Sequence, residues 1–218
     1  LKGHLLRNSF HFLGQYGWFV GLGILPLAQV FAIEFTVPFW TAILASFLLK
    51  ESLGHLKIIS IIIAFIGVLL IVQPPLDHFD SASLIVLTAA ICYAFAHTGT
   101  KVLSKHNHAL TILFYMCLIQ LPVATFLMLP YWQMPNMMQW GWILIVSLTA
   151  LTAHFCMTQA MLTSTVTTVV TLDFIRLPAI GIVAFFFYQE PFGLLAIMGT
   201  ATIFLAMLLS YKSLEHKK

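Results

Sequence analysis

Apolar residues come in long runs along this chain, and the breaks between them are short polar or proline-containing stretches. The runs fall near 8–25, 28–49, 58–73, 82–100, 109–130, 139–160, 163–188 and 192–211. At about 20 residues for each crossing of a ~30 Å hydrocarbon layer, they predict eight transmembrane α-helices. The first run is the most dilute, because Asn8, His11 and Gln15 interrupt it. Its Gly14, Gly17 and Gly21, at i, i+3 and i+7, nevertheless form the small-residue ridge on which helices pack closely in lipid.

Composition agrees with the pattern. Of 218 residues, 61% are hydrophobic and 8% charged, and the mean hydropathy is +0.99. A water-soluble domain cannot be built on that ratio, and the lipid bilayer is the expected surrounding. The net charge of +3 is too small and too dispersed for a nucleic-acid surface. Cys92, Cys117 and Cys156 sit singly in apolar runs, without the spacing of a disulfide framework or metal site, and read as small buried hydrophobes.

The cations are ordered. Lys2 and Arg7 precede the first run, Lys50 and Lys57 lie between the second and third, Lys101 and Lys105 between the fourth and fifth, and Lys212, Lys217 and Lys218 follow the last. All of these fall on one face of an eight-helix path, which the positive-inside bias makes cytoplasmic, together with the C-terminus. Asp77, Asp80 and Glu190 fall on the other face, and Arg176 lies within a run. The expected setting is a prokaryotic inner membrane.

Residues 30–54 align without gaps on residues 169–193, 139 positions later. Val30, Phe35, Ile43, Ala45, Phe47, Glu51 and Gly54 meet identical residues, and Glu34 meets Asp173. Apolar composition alone does not match two acids and a glycine. Five helix steps separate the copies, and an odd number of steps reverses direction across the membrane. The pattern predicts an all-α bundle of two inverted halves, the architecture of many secondary transporters. With five helices in each half, residues 82–211 make a complete second half and residues 1–73 the last three helices of the first. Eight of ten helices are then present, and two more are expected on the N-terminal side.

Leu25-Pro26-Leu27-Ala28, the stretch Glu34-Phe35-Thr36-Val37-Pro38-Phe39-Trp40-Thr41-Ala42 and Leu48-Leu49-Lys50-Glu51 together resemble the third-to-fourth helix signature of the drug/metabolite transporter superfamily, EamA-type. Gly67-Val68-Leu69-Leu70-Ile71 and Tyr188-Gln189-Glu190-Pro191 are similar to its repeat endings, and Lys50-Glu51 stands where that family more usually has Gly-Glu. The resemblance implies a ten-helix permease for small metabolites, over a range that includes amino acids, riboflavin, S-adenosylmethionine and nucleotide derivatives.

Ionisable residues within lipid are costly and are therefore site candidates: Glu34, Asp173 and Arg176. Asp173 and Arg176, spaced i, i+3, suit an intrahelical ion pair, and a freed Arg176 suits a substrate carboxylate or phosphate. Each acid lies 17 residues before its helix-end glutamate, about 25 Å at ~1.5 Å per residue. That spacing puts Glu34 toward the extracytoplasmic end and Asp173 toward the cytoplasmic end. Pro38 and Pro178 remove a backbone hydrogen bond in matched positions and mark hinges. His97, Thr98, Gln120, His154, Thr158 and Gln159 offer hydrogen bonds, while Trp40, Tyr93 and Phe174 offer stacking faces. Each of these also suits a plain interhelical contact. Trp132, Trp140 and Trp142 read as interfacial belt residues.

The leading reading is a secondary transporter of a small polar metabolite by alternating access. No phosphate-binding loop is present for direct ATP use, no cofactor or metal is called for, and a homodimer is compatible with it. The competing readings are a membrane-embedded enzyme and a structural membrane subunit. The first lacks a convergent catalytic cluster, since His106-Asn107-His108 has i, i+2 spacing, and the second leaves the matched acids unexplained.

Overall fold

A computed structural model describes residues 1–74, 80–188 and 193–215, and all of its regular elements there are helical. Asp77, Gln189, Glu190, Pro191, Lys217 and Lys218 lie outside the described residues. The helices are α1 (Lys2–Ile24), α2 (Leu27–Glu34), α3 (Val37–Leu48), α4 (His55–Val72), α5 (Ala82–Ser104), α6 (Ala109–Met128), α7 (Met137–Thr163), α8 (Val166–Leu172), α9 (Arg176–Tyr188) and α10 (Leu194–Glu215). Among the described residues, six stretches are long and apolar enough to cross a bilayer, which makes this an integral membrane protein. The first and last expected spans fall short for different reasons. Helix α1 begins at Lys2 rather than near residue 8 and turns His4, Arg7, Asn8 and His11 inward. The apolar part of α10, Leu194–Ser210, is 17 residues long.

The second and seventh expected spans are each two helices in line. Helices α2 and α8 start 139 residues apart, and so do α3 and α9, which is the offset of the sequence alignment. The second break is filled by a 3-10 turn at Asp173–Ile175. Pro38 and Pro178 therefore do not kink continuous helices. They occupy the first turn after each break, where a helix leaves its N–H groups without an internal acceptor and the missing donor costs little.

Contacts fix the relative direction of the broken helices. Phe35 stacks on Phe174, Ala45 shares a cluster with Val166, Val169 and Val170, and the Glu51 carboxylate reaches Val166 N. Moving forward along α3 thus means moving backward along α8, so the two run in opposite senses.

Small residues set the close approaches. A Cβ on Gly14 would stand 3.1 Å from Ala89 O, and one on Gly17 would stand 3.2 Å from Ala89 Cβ, so the glycine ridge of α1 lies on α5. Helices α4 and α10 meet through Gly67 and Gly199. Beside them, Ala64, Val68, Ile203 and Ala206 form a core continuous with Phe35, Phe174 and Leu177.

Several cations expected in loops are tied into the helix ends instead. Lys57 is 2% exposed and donates to Thr165 Oγ1 at 2.8 Å. Lys101 lies within α5 and donates to the carbonyls of Met161 and Ser164 at the end of α7, where the helix dipole favours a cation. Glu51 accepts from Val166 N at 3.0 Å and Thr167 Oγ1 at 2.8 Å, an anion on the first turn of α8. Cys117 and Cys156 are exposed on the outer surface rather than buried, and Cys92 is half-buried.

Lys50 has φ 54°, in the left-handed region. It stands where the family pattern more usually has glycine, and the strain of a Cβ there gives that preference its physical reason. Lys50→Gly is expected to raise stability by about 1 kcal/mol, read as a higher melting temperature in detergent. A lower one would show that the lysine side chain contributes more than its backbone strain costs.

Candidate functional site

The breaks place charge inside the bundle. Glu34 is the last residue of α2, Asp173 opens the 3-10 turn, and Arg176 opens α9. Arg176 Nη2 donates to Glu34 Oε1 at 2.7 Å, and the same nitrogen stands 3.6 Å from Asp173 Oδ2. The intrahelical pair is thus the longer contact, and the shorter one joins the two broken helices. Trp18 Nε1 donates to Glu34 Oε2 at 2.7 Å, so both oxygens of that carboxylate are held. The guanidinium carbon lies 5.0 Å from the centre of the Phe35 ring, which is itself stacked on Phe174.

The two acids do not sit at opposite ends of a path, as the spacing from Glu51 and Glu190 suggested. Each lies seven residues into its broken helix, ~10 Å from that helix's start. One guanidinium nitrogen reaches both, at 2.7 Å from Glu34 and 3.6 Å from Asp173, so the two acids lie close together at the breaks. The spacing counts from Glu51, which lies three residues beyond the end of α3. Formally, two carboxylates against one guanidinium leave one net negative charge.

These groups line a cavity of about 510 Å³. Tyr93 and His97 of α5 and His154 of α7 share its wall, as do Pro38 and Phe35, with Met157, Val169 and Val170 supplying apolar surface. Trp40 and Pro178 are not among the lining residues. Each follows a lining residue, Pro38 or Arg176, by two positions, or about 200° around a helix. Trp40 instead donates to Thr36 Oγ1 at 3.2 Å and packs with Val37, Ala90 and Ala94. Thr98 is spent on the Ala94 carbonyl, Thr158 is buried and Gln159 is exposed. Trp132, Trp140 and Trp142 are exposed near the start of α7. Among the described residues, no three His, Cys, Asp or Glu side chains are placed to hold a metal ion.

Three contributors were not singled out from the sequence as site residues. His11 and Gln15 line the cavity, and Trp18 holds Glu34. With Asn8 they recur at i, i+3, i+7 and i+10, one face of α1. That periodicity was the available signal, and it was masked because the same residues lowered the hydropathy of the run.

The comparisons with known proteins bear on the whole chain. A riboflavin transporter of Vibrio cholerae is 33% identical over 151 residues, covering 69% of this chain and 50% of its own length. An S-adenosylmethionine uptake transporter of Rickettsia bellii is 25% identical over 187 residues, covering 86% of this chain and 64% of its own. The chain thus spans about half to two-thirds of these relatives. A crystal structure superimposes with a TM-score of 0.76 at 12% identity, over 95% of this chain and 76% of the other, a likeness of fold alone. Residues 5–73 and 80–212 match the model of the EamA-like transporter family, and the chain belongs to that family.

Proposed function

We propose that this chain belongs to a secondary transporter that moves a small polar metabolite by alternating access, without direct use of ATP. The observation that carries the reading is the Glu34–Arg176–Asp173 group, an ion cluster that joins two oppositely running broken helices at the wall of a cavity. A cluster that a substrate's own charges can enter and part is a natural coupling between binding and the movement of one half against the other. Glu51 and Lys57 tie the same halves together at the basic end, which the positive-inside bias makes cytoplasmic.

The repeat supports the wider architecture. Residues 1–73 form the later part of one half and 82–211 the other. Helix α1 is covered along its glycine face by α5, whereas α7, its counterpart as third helix of the other half, is almost wholly exposed.

For substrate we propose a planar nitrogen heterocycle carrying a polar chain, the chemistry common to riboflavin and S-adenosylmethionine, named for the relatives. The cavity offers Tyr93 and three imidazoles beside the acids, and the formal negative charge favours a ligand with donor or cationic groups. Vesicles containing the protein are expected to take up or release labelled riboflavin or S-adenosylmethionine. Glu34→Gln and Asp173→Asn should each reduce that flux by at least about tenfold, the scale of removing one partner of a desolvated pair. Full flux in both variants, or chemical turnover in detergent without vesicles, would overturn the reading.

A further inference from the structure

A chain of polar side chains runs from the basic end of α1 to the cavity, and Arg7 fixes its polarity. Arg7 is 5% exposed, and a guanidinium can only donate. It gives Nε–H to Thr100 Oγ1 at 3.0 Å and Nη1–H to Asn8 Oδ1 at 2.7 Å. Asn8 must therefore turn its oxygen toward Arg7 and its amide nitrogen away. That nitrogen donates to the His4 carbonyl at 2.8 Å, as a helix permits at i−4. The same Asn8 Oδ1 accepts from Gln120 Nε2 at 3.2 Å, so Gln120 presents its NH₂ end to α1. Gln120 Nε2 also stands 3.1 Å from His11 Nδ1. An amide nitrogen has only protons to offer, so His11 Nδ1 must accept. In the neutral ring the single proton is then on Nε2. Among the described residues Nε2 has no hydrogen bond, and the ring lines the cavity beside His154 and Tyr93.

We propose that His11 is a substrate-binding hydrogen-bond donor: its Nε2–H takes an acceptor atom of the ligand, a ring nitrogen or carbonyl oxygen, while Glu34 and Asp173 take the ligand's donor or cationic groups. The proposal rests on the reading of the cavity as a substrate site and adds a direction to it. A heterocycle must enter with its acceptor edge toward α1 and α6 and its donor groups toward the helix breaks. Arg7, Asn8 and Gln120 are positioning residues, which act by fixing the tautomer rather than by touching the ligand.

Two measurements test this on the full protein. In ¹⁵N-histidine spectra, with His11 assigned by the signals missing from His11→Phe, the proton is expected on Nε2. Gln120→Leu, which removes the donor to Nδ1, is expected to let it redistribute to both nitrogens. In titrations with riboflavin and with S-adenosylmethionine, His11→Phe keeps the ring but is expected to weaken binding by about tenfold, the loss of one enclosed hydrogen bond. His11→Gln restores an N–H donor and is expected to recover most of that loss. A proton on Nδ1 in the wild type, or ligand binding by His11→Phe as tight as by the wild type, overturns the proposal. If the wild type binds neither compound, the substrate class proposed above has failed, and the nitrogen spectra still decide the orientation of His11.

Discussion

Arg176→Gln is expected to abolish flux and to lower the melting temperature, the largest functional loss of any single replacement in this protein. Among the described residues, the guanidinium is the one cation facing both Glu34, at 2.7 Å, and Asp173, at 3.6 Å. Removing it leaves two carboxylates near each other with no opposing charge. Breaking a desolvated, hydrogen-bonded pair costs about 2–5 kcal/mol, most of it the penalty of the charge left behind. Because the Arg176 side chain is 41% exposed, the stability loss belongs near the lower end, ~2 kcal/mol after screening by cavity water. Arg176→Lys keeps the charge but as a compact ammonium without the fork, and is expected to fold while losing much of the flux. The double variant Arg176→Gln with Glu34→Gln separates the two roles. Removing one orphaned acid should restore much of the melting temperature and none of the flux. Wild-type flux in Arg176→Gln would show that the ion cluster is architecture only.

The charges of this cluster were legible as intramembrane outliers, since lipid makes every ionisable group conspicuous. Their arrangement was not. Which partner Arg176 prefers depends on where two helices 142 residues apart come together, and no local spacing encodes that. The same limit applies to face. Periodicity states which residues share a helix side, but only a neighbouring helix decides which side meets a cavity. For that reason Pro38 lines it while Trp40, two residues on, packs between α3 and α5. The chain breaks were half legible. Prolines announced them, yet the breaks lie just before the prolines, where a new first turn tolerates the missing donor. Hydropathy misled at α1. The residues that made it the weakest span, Asn8, His11 and Gln15, are the ones it turns toward the interior and the cavity.

Gly199→Ala is expected to give the largest loss of stability from the addition of a single methyl group. A Cβ at Gly199 would stand 2.6 Å from Gly67 O and 2.7 Å from Ile71 Cγ1. A Cβ at Gly67 would stand 2.7 Å from Gly199 O and 2.8 Å from Ile203 Cγ1. The obstacle in each case includes a backbone carbonyl, which no rotamer change can move, so α4 and α10 must separate. Lipid tails are as apolar as the interface, so the helices are held by close van der Waals contact, and separation forfeits it along the seam of Ala64, Val68, Ile203 and Ala206. Overpacking of this kind costs about 1–3 kcal/mol. The same substitution at Gly23 of α1 has the opposite sign, because nothing lies within 4 Å of its added methyl. There alanine gains up to about 1 kcal/mol of helix propensity. Thermal unfolding of the two variants side by side checks both signs at once. The core at the seam continues into Phe35 and Phe174 beneath the ion cluster, so Gly199→Ala is also expected to lose flux in proportion to its loss of fold. If Gly199→Ala melts at or above the wild-type temperature, the close approach of α4 to α10 is not what holds this half of the bundle together.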